Sequence, residues 1–88
     1  MRIFEKQEIA KLLEYYFPDL NPSLKVKAKI IKYDENLYGV EISHFCKRIG
    51  DAEYYRPGWG ATSVEQAENR LDLYMNDFTN DYIDNANF

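Results

Sequence analysis

Cysteine, histidine and tryptophan each occur once in this chain. A single cysteine, Cys46, excludes an internal disulfide, so packing alone must hold the fold; this suits a reducing compartment. A single histidine, His44, leaves little room for nucleophilic catalysis. Such chemistry needs a histidine oriented by a carboxylate and placed beside a Ser or Cys. His44-x-Cys46 supplies two of the roughly four ligands zinc requires, and no second pair exists. Packing under a helix explains His44 and Cys46 more simply, since free cysteine behaves as a small buried hydrophobe. No glycine-rich phosphate cradle with a Walker lysine follows a strand. The chain is therefore expected not to be an enzyme and to need no cofactor. No apolar run approaches the ~18 residues of a membrane span, and no charged start precedes an apolar signal segment. A cytoplasmic location and no membrane partner are expected.

Basic residues are also scarce where they would matter for nucleic acid. Residues 1–44 hold seven basic and seven acidic side chains, and residues 45–88 hold four and eight. After Arg70 there is no basic residue, while Asp72, Asp77, Asp81 and Asp84 follow. Nonspecific nucleic-acid binding depends on Lys and Arg neutralising phosphates, so an acidic chain argues against it.

What the chain does have is alternation, in Leu24 to Phe45. Leu24, Val26, Ala28 and Ile30 fall on one side of an extended chain, and Lys25, Lys27 and Lys29 on the other. Val40, Ile42, His44 and Cys46 share a face in the next run. Asp34-Glu35-Asn36 between them is turn chemistry, with Asn36 suited to a left-handed conformation. Pairing Tyr33 with Leu37 sets a hairpin register in which Ala28 opposes Ile42, Val26 opposes His44 and Lys29 opposes Glu41. Good cross-strand pairs contribute roughly 0.2–1 kcal/mol each.

Helices are expected on either side. Ile9, Leu12, Leu13 and Tyr16 follow helical spacing over Glu5 to Phe17, and Pro18 ends the run. Ile3 and Phe4 are expected to dock on the core. Ala52 to Arg56 reads as a short third strand before Pro57. Thr62 or Ser63 caps a second helix, with Glu65 and Gln66 at capping-box spacing. From Val64 its apolar stripe runs through Ala67, Leu71, Tyr74, Met75, Phe78 and Tyr82. The expected fold is one α+β domain over residues 1–88, ordered α-β-β-β-α. It has a three-stranded antiparallel sheet, both helices on one face, and a frayed tail over 79–88. The expected core is Ile9, Leu12, Val26, Ile30, Val40, Ile42, Ala67, Leu71, Tyr74 and Phe78.

That order, with Gly58-x-Gly60-x-Thr62-Ser63 leading into the last helix, resembles the double-stranded RNA-binding domain. The family carries Gly-x-Gly-x-Ser-Lys-Lys at this junction. Here Ser63 and Val64 stand where its phosphate-binding lysines would be, so the resemblance implies the fold rather than direct RNA binding. An RNA-binding or dimerisation module is the alternative function it implies. In size, acidity and tyrosine content the chain is also similar to small phage-encoded inhibitors, including anti-CRISPR proteins. That likeness implies a viral protein working in its host's cytoplasm by nucleic-acid mimicry, covering a basic nucleic-acid channel on a host effector.

Eight tyrosines, five phenylalanines and one tryptophan exceed what a core of this size encloses. Some must face solvent, where Tyr, Trp and Arg are the usual binding anchors. The candidate partner-binding residues are therefore Tyr55, Arg56 and Trp59 before the last helix, with Leu73, Asp77, Asp81 and Asp84 along it. Leu73 lies opposite the apolar stripe, and the aspartates run along the adjacent face. Asp77 and Asp81 would lie ~6 Å apart along the axis, close to the spacing of successive phosphates. The expected partner is a protein with a basic surface, with the row Lys25, Lys27 and Lys29 as the other candidate face.

Overall fold

The computed structural model describes residues 1–57 and 60–88. Chain order is β1 (Glu8–Phe17), β2 (Asn21–Asp34), β3 (Leu37–Ile42), β4 (His44–Cys46), α1 (Val64–Asn76) and β5 (Tyr82–Asp84). β1, β2 and β3 form an antiparallel sheet with β2 in the middle, and β4 and β5 pair separately. Among the described residues there is one helix and five strands, which corrects the expected two-helix, three-strand plan. The α-β-β-β-α order implied by the resemblance to double-stranded RNA-binding domains is accordingly not the order of this chain.

The first expected helix is strand β1. Leu13, Tyr15 and Phe17 are half-buried and alternate with exposed Leu12, Glu14 and Tyr16, the period-two pattern of a strand. Its aromatic end, Tyr15-Tyr16-Phe17, suits a pleated surface. Ile9 pairs with Ile31 and Lys11 with Ile30, so Ala10 is an extra residue in the ladder. That bulge resets the phase and puts Ile9 and Leu12, three apart, on the same face. The chance spacing imitates a helical stripe. Its members Ile9, Leu12 and Tyr16 are exposed at 43%, 68% and 62%, so Ile9 and Leu12 are not in the core. Ile3 and Phe4 do not dock on the core either; both are exposed.

The β2–β3 hairpin has Ala28 opposite Ile42 and Lys29 opposite Glu41, in the register the alternation implies. The turn differs. Asp34, not Tyr33, pairs with Leu37 across an irregularity, and among the described residues only glycines have positive φ, so Asn36 is not left-handed. Leu24, Val26, Ala28 and Ile30 are buried on the inner face of the sheet. Lys25 and Lys27 are exposed on the outer face, opposite Tyr16 and Glu14 of β1.

α1 lies against the inner face, burying Ala67, Leu71, Tyr74 and Met75. Ser63 caps it by accepting from Gln66 N at 3.1 Å, and Gln66 Oε1 reaches back to Thr62 N at 2.7 Å. Two polar contacts tie it to β1: Lys11 to Glu68, and the Tyr15 hydroxyl donating to Asp72 at 2.8 Å. Burial and that bond to a carboxylate push the Tyr15 phenol well up, so it stays a donor.

The helix ends at Asn76 with Asp77 as its C-cap, not at Tyr82. Phe78 stays in the core, stacked on Phe17 at 5.0 Å, because the chain turns there. The segment expected to fray carries β5. Asn85 N donates to Ser43 O at 2.8 Å, and Asn85 Nδ2 donates to Ile42 O at 2.8 Å. The expected strand Ala52 to Arg56 is reduced to one bridge, Tyr55 with Cys46. Cys46 is fully buried and His44 half-buried, with His44 Nε2 at 3.2 Å from Asp84. No helix among the described residues is long and apolar enough to cross a membrane.

Two leucines test this arrangement together. Leu71→Ala, at a fully buried site, is expected to cost ~2–5 kcal/mol in chemical denaturation. Leu12→Ala, on an exposed strand position, is expected to stay within ~0.5 kcal/mol. A large loss at Leu12 would restore the helical assignment.

Candidate protein-docking site

The site begins with one buried hydroxyl. Tyr74 lies on the inner side of α1, where burial pushes its phenol well up and keeps it protonated. Its oxygen accepts from Cys46 N at 2.9 Å and donates to Tyr55 O at 2.7 Å. Tyr55 N donates to Cys46 O at 2.9 Å. The backbone on either side of the irregular segment 47–57 is thus pinned to the helix and to β4 without a strand of its own.

Pinning the backbone places the ring. Tyr55 stacks on Tyr74 with centroids 5.8 Å apart, and the Arg48 guanidinium covers Tyr55 at 3.9 Å. Arg48 is itself fixed by Asp51, which accepts from its Nε at 2.9 Å and from its backbone N at 3.1 Å. That bond raises the Arg48 pKa and lowers that of Asp51, so both stay charged. The Tyr55 ring is thus held by both the Arg48 guanidinium and the Tyr74 ring.

Beside the stack is a hollow of about 310 Å³ between Tyr55, Pro57, Arg70, Leu73 and Asp77. A second, of about 560 Å³, lies across Arg48 and Asp77 and is bordered by Ile49, Asn76 and Thr79. Leu73 is 70% exposed and Ile49 99% exposed. The Asp77 carboxylate lies near enough to the Arg48 guanidinium to help raise its pKa. Together these form a partly apolar surface with a carboxylate at its edge. Such a surface can receive side chains, and the groups around the hollow hold no nucleophile–base pair.

Of the residues expected to bind a partner, Tyr55, Leu73 and Asp77 therefore come together. Asp81 and Asp84 do not continue a helical row, because the helix has ended before either. Asp81 accepts from the Tyr54 hydroxyl at 2.6 Å, and Asp84 faces His44 from β5. The ~6 Å spacing expected of Asp77 and Asp81 on one helix does not apply. Arg56 lies over the Phe45 ring at 4.9 Å and borders a different hollow, with Tyr33. Trp59 lies outside the described residues. Sequence reasoning missed Arg48 and Ile49. An exposed isoleucine between Arg48 and Gly50 in a turn was the available signal, since turns rarely need an apolar side chain.

Compared with protein-family models, curated proteins and solved structures, the chain has no match. The case for function rests on this surface alone.

Tyr74→Phe removes both bonds and leaves the Cys46 N–H buried without its acceptor. We expect a stability loss of ~1–3 kcal/mol, measured by denaturation, together with loss of Tyr55 ring order by NMR. An unchanged Tyr55 environment would show that stacking alone places the ring.

Proposed function

We propose that this protein is a protein-binding module that docks on a basic surface of another protein through Tyr55, Leu73 and Asp77. The observation that carries the proposal is Leu73, 70% exposed beside a hollow whose walls are held in place from the core. An ordered apolar side chain next to stacked Tyr and Arg has the composition of a binding hot spot. Preorganised walls lower the ordering cost of association.

Charge supplies the other half. The last 18 residues carry Asp72, Asp77, Asp81 and Asp84 and no basic group. Their field steers the protein toward a positive partner, whereas the contacts at Leu73 and Tyr55 set how long it stays. In its sharper form, the partner handles nucleic acid and the module occupies its nucleic-acid surface as an inhibitor. Asp77, the carboxylate at the edge of the hollow, then stands where a phosphate would. Asp81 and Asp84 add to the field without forming a phosphate-spaced row.

The test uses beads carrying the wild-type protein or the double variant Leu73→Ala with Asp77→Lys, exposed to the same lysate. The protein retained by the wild type alone is expected to be basic, to elute as salt rises, and to be released by duplex nucleic acid. Identical retention by both proteins would refute the docking site. A specific partner that nucleic acid does not displace would keep the docking site and remove the inhibitor form.

A further inference from the structure

We propose that β1 is a self-association edge, along which a second copy of this chain pairs antiparallel to join two three-stranded sheets. In the order β1-β2-β3, β1 has β2 on one side only. Among the described residues, its backbone ladder bonds run to β2, leaving alternate N–H and C=O groups pointing outward. The far edge of β3 differs, since Tyr38 N donates to Ala61 O at 2.8 Å and Ala61 N returns the bond to Tyr38 O at 3.0 Å. Long open edges are normally blunted by proline, inward charges or brevity. β1 is 10 residues long and contains no proline; Lys11, which faces inward opposite Ile30, is paired with Glu68, and the register shifts fall at Ala10 and after Tyr16.

Its side chains favour pairing. Ile9, Leu12 and Tyr16, all on the outer face, are exposed at 43%, 68% and 62%. A neighbouring strand would cover them.

The occupant follows from charge. The chain carries -4 in total, but residues 1–44 hold seven basic and seven acidic groups and contribute none of it. The acidic residues of the second half that reach β1 are engaged there, Glu68 with Lys11 and Asp72 with the Tyr15 hydroxyl, and present little free charge to a second copy. Glu14, the acidic residue in the middle of the edge, already lies 3.6 Å from Lys25 and accepts from the Tyr16 hydroxyl at 2.7 Å. It therefore presents little free charge to a second copy.

The size of the strip sets the strength. Ten residues give an edge ~33 Å long, and one sheet layer is about 10 Å deep, so each copy offers ~330 Å². Roughly 660 Å² in total falls below the standard interface, so the dimer is weak and reversible. This surface is separate from the one around Leu73, and the two respond differently to salt. β1 pairing rests on backbone bonds and apolar contact, and persists where docking on a basic partner weakens.

Sedimentation velocity over a wide range of concentration tests the proposal. The wild type is expected to show a concentration-dependent dimer that survives added salt. Leu12→Lys with Tyr16→Lys is expected to raise the dissociation constant at least about tenfold with the circular dichroism unchanged. Hydrogen exchange of the wild type supplies a measure free of substitution: β1 amides should become more protected as concentration rises. A protein that stays monomeric to ~1 mM would overturn the proposal. So would a dimer that the double variant leaves intact, or one that protects other amides instead.

Discussion

The structure depends on β2 having two different faces and two neighbours. Its 14 residues reach across the sheet, with Leu24, Val26, Ala28 and Ile30 inward and three lysines outward. α1 has an apolar stripe and no other place to bury it. β1 and β3 take their registers from β2, so one alternating stretch fixes the positions of the other elements. An 88-residue chain without disulfides has a small core, and most of its large buried side chains lie where this strand and α1 meet. Elements away from that contact are short, and hydrogen bonds hold them instead.

The surface proposed for docking is a product of that second regime. Among the described residues, segment 47–57 makes one isolated bridge to a strand. It is ordered because a buried phenol at the helix joins Cys46 to Tyr55, and because Arg48 folds back on Asp51 and the Tyr55 ring. A hydroxyl that both accepts and donates does for this segment what a β-ladder does elsewhere. The exposed groups at the site, Leu73 and Asp77, are on or just past α1, whose other face buries Ala67, Leu71, Tyr74 and Met75.

How much could be read from the residues follows the same division. Alternation through β2 and β3 was legible because it is regular, and Ala28 opposite Ile42 followed from it. The Ser63 cap and the stripe through Ala67, Leu71 and Tyr74 were legible because local spacing carries them. β1 was not, since the extra residue at Ala10 turned a period of two into an apparent helical spacing. β5 was hidden because three residues carry no pattern, and the early end of α1 because the apolar stripe continues past Asp77 into Phe78. Leu73 was visible as an apolar residue on a polar face. Its meeting with Tyr55 depends on a tertiary hydrogen bond that no local pattern records.

The same cause explains why the aspartates divide. Once the helix has ended, Asp81 lies in the connection before β5 and Asp84 in β5, with Tyr54 and His44 as their respective partners. Asp77 alone borders the hollow, so the acidic row becomes one contact and a field. The measurement that tests this most directly is hydrogen exchange of the protein bound to its captured partner, compared with the free protein. The account expects new protection over residues 48–57 and 70–77, with little change along β2. Protection confined to the outer face at Lys25, Lys27 and Lys29, with 70–77 unchanged, would contradict it.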